Sequence, residues 1–226
     1  MMPTRRLCLI IVALAWALPA AAKPGRAVAE AGIATAHPLA TQAGEEVMAA
    51  GGNAFDAAVA ISAALAVVEP FASGLGGGAF WLLHEAKGGK QTFVDAREVA
   101  PGAATRDMYL DEMGKPRPGA TLDGPLAAGI PGQPAGLAHL AKRYGRLPLK
   151  KSLAPAIRFA EEGVEVTRSM ELGLRFRATA ARSSPALAAL YLPGGKALVA
   201  GDRVRYPDLA NTLRQIAMDG RDGFYR

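Results

Sequence analysis

The 226-residue sequence holds one cysteine, three histidines and few aromatics, 6% in all. A single thiol, Cys8, excludes an internal disulfide framework and any multi-thiolate zinc or iron–sulfur site. His37, His84 and His139 stand far apart, none at metal-ligand spacing, so no metal is expected. His84-Glu85 opens like a zinc-protease motif, but Gly88 occupies the place of the second ligand. There is no G-x-S-x-G, no supported Ser-His-Asp set and no convincing nucleophile. Charge of one sign is not concentrated either. Lys150-Lys151 and Arg203/Arg205 are short pairs without interleaved aromatics, which argues against a nucleic-acid partner despite a net charge of +6.

Half of the residues are hydrophobic and a fifth charged, with 26 glycines and 16 prolines, a globular composition with ample material for a core. Arg5 and Arg6 precede an uncharged apolar run, Leu7 to Leu18; Pro19 breaks it, and Ala20-Ala21-Ala22 supplies small residues before Lys23. That order predicts a secretory signal peptide over residues 1–22. As a helix the apolar run would reach about 18 Å, short of the roughly 30 Å of a bilayer core, so no stable membrane anchor is expected. Residues 23–226 would then be the exported part, without a thiol, periplasmic or secreted.

Within that part, Ala40 to Ala50 reads as a helix closed by Gly51-Gly52. Asn53 with Asp56 three places on predicts a capped start for Ala54 to Val68, a helix with only two polar members that must be buried on nearly every side. Ser73-Gly74-Leu75-Gly76-Gly77-Gly78 leads into a strand at Ala79–Leu83, a turn at Lys87–Lys90 and a returning strand at 91–95. Gly74, Gly76 and Ala79 fit the dinucleotide pattern formally. Their order, helix then glycines then strand, is the reverse of what phosphate binding needs, and no cofactor is expected. Residues 99–136 read as ordered loops. Helices are predicted at 137–144, 152–162, 169–181 and 207–218, giving an α+β class with a sheet deficient in strands.

The polar cluster Asp95-Ala96-Arg97-Glu98-Val99-Ala100-Pro101 ends a strand expected to be largely buried. A buried guanidinium needs a carboxylate. On pattern alone this is a structural ion pair of Arg97 with Asp95 or Glu98; the alternative is a two-point grip on the carboxylate of a small ligand.

From Gly32 onward the sequence closely resembles the N-terminal part of the gamma-glutamyltranspeptidases (glutathione hydrolases). The resemblance rests on His37-Pro38-Leu39-Ala40-Thr41-Gln42-Ala43-Gly44, Gly51-Gly52-Asn53-Ala54, Val67-Val68-Glu69-Pro70, the glycine cluster 73–78 and the Asp95–Pro101 segment. It continues through Gly129-Ile130-Pro131-Gly132, Leu153-Ala154-Pro155-Ala156-Ile157 and Gly223-Phe224-Tyr225-Arg226. It implies a portion of an N-terminal-nucleophile hydrolase, a four-layer αββα sandwich made as a self-cleaving precursor. The new N-terminal threonine of the small subunit attacks the γ-glutamyl amide, most often of glutathione, and passes the acyl group to water, an amino acid or a peptide. Arg97 matches the arginine that binds the substrate α-carboxylate. The threonine, oxyanion-hole glycines and groups holding the substrate amine would lie in later sequence, so this chain alone is expected to be inactive, an incomplete domain that pairs with a small subunit. Two alternatives remain open: a non-catalytic periplasmic module binding γ-glutamyl compounds, or a related cephalosporin acylase.

Overall fold

In the computed structural model, residues 31–226 are described, and the signal peptide expected at 1–22 lies outside them. Residues 33–226 pack as one unit around two central helices. The first, α1 (Pro38–Ala49), is capped by the His37 ring, whose Nδ1 accepts from the Leu39 amide at 3.1 Å. Its partner α2 (Ala54–Val68) starts at a reciprocal capping box. The Asn53 side chain accepts from the Phe55 and Asp56 amides at 2.9 and 3.0 Å, and the Asp56 carboxylate accepts from the Asn53 amide at 2.9 Å. The helices cross closely because α1 carries Gly44 at the contact; a Cβ there would stand 2.8 Å from Ile61 Cδ1.

Nine of the fifteen residues of α2 are buried, which is the fate of a helix with almost no polar face. The exception is instructive. Asp56 is fully buried, yet each oxygen has backbone donors: Oδ2 accepts from Arg146 at 2.9 Å besides Asn53, and Oδ1 from Leu147 at 3.3 Å. Asn53 Nδ2 in turn donates to the Tyr144 carbonyl at 2.7 Å. The start of α2 is thereby fastened to the turn between α3 (Gln133–Tyr144) and α4 (Leu149–Glu162).

The hairpin pairs β1 (Ala79–Glu85) with β2 (Lys90–Ala96) in antiparallel register, Ala79 opposite Ala96 and Glu85 opposite Lys90. Gly88 and Gly89 turn the chain at φ 93° and 65°, a conformation glycine adopts without steric cost. Contrary to the expected burial, the hairpin is covered on one face only. Trp81, Leu83, Val94 and Ala96 face the helices; Phe80, Leu82 and Phe93 are 52%, 75% and 62% exposed, with the two phenylalanine rings stacked at 5.5 Å. The strand ending at Asp95 is therefore half-covered rather than largely buried, because no described element packs on its second face.

Two other expectations need correction. Helix α3 begins at Gln133 rather than 137, with Pro134 in its first turn, where the missing amide is harmless. The single helix expected at 169–181 is two, α5 (Arg168–Phe176) and α6 (Ala178–Ser183). They part at Arg177, whose guanidinium pairs with Asp123 of the long loop. A further helix, α7 (Pro185–Tyr191), follows. A second small sheet, β3 (Val164–Glu165) with β4 (Arg203–Val204), leads into α8 (Pro207–Asp219) and a terminal turn of helix, α9 (Asp222–Tyr225). With helices on one side and two short sheets, the class is α+β as expected.

Candidate functional site

The segment leaving β2 is held from three sides by residues that lack side chains. A Cβ on Gly78 would lie 2.7 Å from Arg97 Cα, and one on Gly132 would collide with the Ala96 carbonyl. A Cβ on Gly136 would stand 2.6 Å from Trp81 Cη2 and 2.8 Å from Ala96 Cβ. The Gly77 carbonyl accepts from the Gly132 and Gln133 amides at 3.0 and 3.1 Å. Val99 and Ile130 exchange both backbone hydrogen bonds at 3.1 and 2.8 Å. Of the glycine cluster read at 73–78, Gly78 serves close backbone approach beside Arg97, whereas a Cβ on Gly76 would meet nothing within 4 Å.

Neither carboxylate expected to neutralise Arg97 does so. Asp95 is turned to the backbone, its Oδ1 accepting from the Arg97 amide at 2.9 Å. The Glu98 carboxylate folds over the glycine loop, where a Gly78 Cβ would meet it at 2.6 Å. Among the described residues Arg97 makes no ion pair, and its side chain is exposed. The physical reason is the half-covered hairpin. The end of β2 opens to solvent, so the cation has water and needs no internal partner.

Arg97 lines a cavity of about 440 Å³ between the end of β2, the strand-like segment at Val99 and Ile130, the first turns of α3 and the C-terminal residues. That volume lies in the range of small-molecule sites, about 300–1,000 Å³. Its wall includes Asp95, His139, Arg221 and Tyr225. Tyr225 is fixed by donating to the Pro131 carbonyl at 2.6 Å and accepting from the Ala135 amide at 3.3 Å. Its ring carries the Arg221 guanidinium at 4.9 Å from the centroid. The sequence pointed to Arg97 but gave no role to Arg221 or Tyr225. The one signal for Tyr225 was the Gly223–Arg226 motif, Arg221 had none, and only tertiary contact brings Tyr225 to Ala135, 90 residues away. His37 and His84 do not reach the cavity. Among the described residues no three of His, Cys, Asp and Glu stand together as a metal-binding set, and no helix is long and apolar enough to cross a membrane.

Residues 40–226 match the sequence profile of the family described as Gamma-glutamyltranspeptidase. The chain is 39% identical over 200 residues to the glutathione hydrolase proenzyme of Bacillus subtilis, covering 86% of this chain and 33% of that protein. It is 41% identical over 201 residues to an acylase proenzyme of a Pseudomonas species, covering 85% of this chain and 36% of the other. The crystal structure of Helicobacter pylori gamma-glutamyltranspeptidase superposes on it with a TM-score of 0.84 at 38% identity, over 90% of this chain and 58% of that one. The chain thus spans about a third of the length of the curated relatives it matches. A profile match over most of the sequence, with the same fold at this identity, shows that the chain belongs to the gamma-glutamyltranspeptidase family.

Proposed function

We propose that this chain forms the N-terminal share of the large subunit of an exported γ-glutamyltransferase or glutathione hydrolase, with Arg97 gripping the α-carboxylate of the γ-glutamyl group. The observation that carries this is the state of Arg97: an exposed residue without an ion pair among the described residues, on a backbone clamped by glycines, at the wall of a cavity of about 440 Å³. A planar fork with no internal partner suits bidentate binding of a carboxylate that arrives with the ligand.

In this reading the nucleophile is the threonine that heads the small subunit after self-cleavage, carried on sequence beyond the share of the relatives spanned here. Its Oγ attacks the γ-carbonyl, its α-amine takes the proton, and the donor's amine leaves with a proton. The acyl-enzyme is then cleaved by water or by an acceptor amine. The chain's own part is positional. Holding the α-carboxylate fixes the γ-carbonyl before the nucleophile and lowers the entropy cost of the attack. The apolar outer face of the hairpin, Phe80, Leu82 and Phe93, supports the same reading, since further sequence has an uncovered surface on which to pack. No cofactor is needed for this chemistry.

A second reading keeps the family and changes the donor, and the 41% identity to an acylase proenzyme favours it to that extent. Arg97 argues for an α-amino-acid carboxylate over a neutral acyl chain. Steady-state kinetics of the precursor carrying Arg97→Lys distinguishes them. The γ-glutamyl reading expects a KM for γ-glutamyl-4-nitroanilide raised by about tenfold or more, because a point charge loses the fork, while self-cleavage persists. An unmoved KM would sink the carboxylate assignment.

A further inference from the structure

The helix beside Arg97 begins without a cap of its own. A serine, threonine, aspartate or asparagine commonly precedes a helix and accepts from its first free amides. Before α3 that position is Gly132, and no side chain of its own caps the helix. The reason lies in the strand end. A Cβ on Gly132 would collide with the Ala96 carbonyl and stand 2.6 Å from the Arg97 carbonyl oxygen. Close passage of the segment that bears Arg97 therefore excludes a capping side chain here.

The first amides of α3 are nevertheless all accounted for. Gln133 donates to the Gly77 carbonyl at 3.1 Å, Pro134 has no amide, and the Gly136 amide donates back to the Gly132 carbonyl at 3.0 Å. Ala135 donates at 3.3 Å to the Tyr225 hydroxyl, which itself donates to the Pro131 carbonyl at 2.6 Å. One hydroxyl from 90 residues further along the chain thus does for α3 what the residue before it cannot.

Tyr225 reaches that place already oriented. A Cβ on Gly223 would stand 2.5 Å from the Gln215 carbonyl carbon, so α9 lies directly against α8. The Arg221 guanidinium sits over the Tyr225 ring at 4.9 Å, and the Phe224 ring meets it edge-on at 5.0 Å between centroids. The hydroxyl then bridges both sides of Gly132, Pro131 before it and Ala135 after it. Gly132 is the residue against which the Ala96–Arg97 backbone is set.

We infer that Tyr225 is a positioning residue for Arg97. Its hydroxyl fixes the 131–135 segment that seats the Arg97 backbone, and so acts on donor binding through the carboxylate grip. This rests on the γ-glutamyl reading above.

The test is a double-mutant cycle on KM for γ-glutamyl-4-nitroanilide in the precursor carrying this chain, with Tyr225→Phe, Arg97→Lys and both together. Misplacing a positioned group by about 1 Å can cost about 100-fold, and loss of one hydroxyl relaxes the segment by a fraction of that. Tyr225→Phe alone is therefore expected to raise KM by about three- to tenfold. On top of Arg97→Lys it is expected to add less than about twofold, because the fork that it positions is gone. A hydroxyl with a merely structural role would give the same rise in both backgrounds. Amide hydrogen exchange reads the cap without turnover: the Ala135 amide should exchange faster in Tyr225→Phe, and the Gln133 amide, still on Gly77, should not. An unmoved KM in Tyr225→Phe, equal rises in both backgrounds, unchanged exchange at Ala135, or loss of self-cleavage in Tyr225→Phe each overturns this inference. All four leave the γ-glutamyl reading standing so long as Arg97→Lys alone raises KM. A KM unmoved by Arg97→Lys overturns both.

Discussion

Replacing Asp56 by alanine removes a fully buried carboxylate that receives three backbone amides, those of Asn53, Arg146 and Leu147, at 2.9, 2.9 and 3.3 Å. Hydrogen bonds to a charged group contribute about 1.5–3 kcal/mol each, and fewer when one of three is long and the donors lie near solvent. The sum expected is about 3–5 kcal/mol, a large part of a typical margin of about 5–15 kcal/mol. In urea, with an m-value of about 2 kcal/mol per molar, the midpoint should fall by about 1.5–2.5 M. Asp56→Asn keeps one acceptor oxygen but sets an amide donor against a backbone donor, and should fall between wild type and alanine. Gly145→Ala reports on the same fastening from the other side, since a Cβ there would collide with Asp56 Oδ1 and stand 2.6 Å from the Ala141 carbonyl. Circular dichroism and Trp81 fluorescence would follow the transition. A midpoint within about 0.3 M of wild type for Asp56→Ala would refute the claim that this carboxylate fastens α2 to the turn at 144–147.

The remaining predictions concern three other places. Burial holds the His37 imidazole below its ordinary pKa of 6.5, an effect that outweighs the Glu69 charge, which acts the other way. Its Nδ1 caps α1 only when unprotonated. The unfolded chain therefore binds the proton more readily, so the cap's stabilisation is whole above pH 6.5 and is lost as pH falls through the lower folded value. Denaturation between pH 7.5 and 5 should show this loss in wild type and not in His37→Asn, while His37→Ala should cost about 1 kcal/mol at the upper end. Gly136→Ala would press a methyl group on Trp81 and Ala96, costing about 1–3 kcal/mol. It should shift Trp81 emission and, by moving the base of Arg97, raise KM in the precursor; an unchanged spectrum would contradict the packing. Edman sequencing of the exported protein should begin at Lys23; a first residue elsewhere refutes cleavage after Ala22.

Much of the fold could be read from the residues because local chemistry and tertiary packing agreed. Asn53 and Asp56 announced the start of α2, its alanine-rich body announced burial, and Gly88-Gly89 announced the hairpin turn. Failures occurred where a tertiary contact decided. The run Gly129 to Gly136 looked like loop, yet Gly132 and Gly136 are there because Ala96 and Trp81 pass too close for a side chain, and helix α3 begins among them. Nothing in the sequence around Arg177 marks the break between α5 and α6; the residue is turned toward Asp123, far away along the chain. The site divides in the same way. Arg97 stood out as a residue type at a strand end. Its solvent-open setting did not, because the strand it ends was expected to be largely buried and is covered on one face only. Arg221 and Tyr225 were invisible as site residues until the C-terminal turn was seen against Pro131 and Ala135.

The central claim is that Arg97, without an ion pair among the described residues, is the carboxylate grip proposed for a γ-glutamyl-transferring enzyme. Its most direct test is the dependence of initial rate on γ-glutamyl-4-nitroanilide concentration for the precursor with Arg97 and with Arg97→Lys, after both have been shown to self-cleave. The account predicts a KM raised by about tenfold or more, since binding of the donor carboxylate is what the fork supplies. A KM equal to that of the unaltered precursor would contradict it.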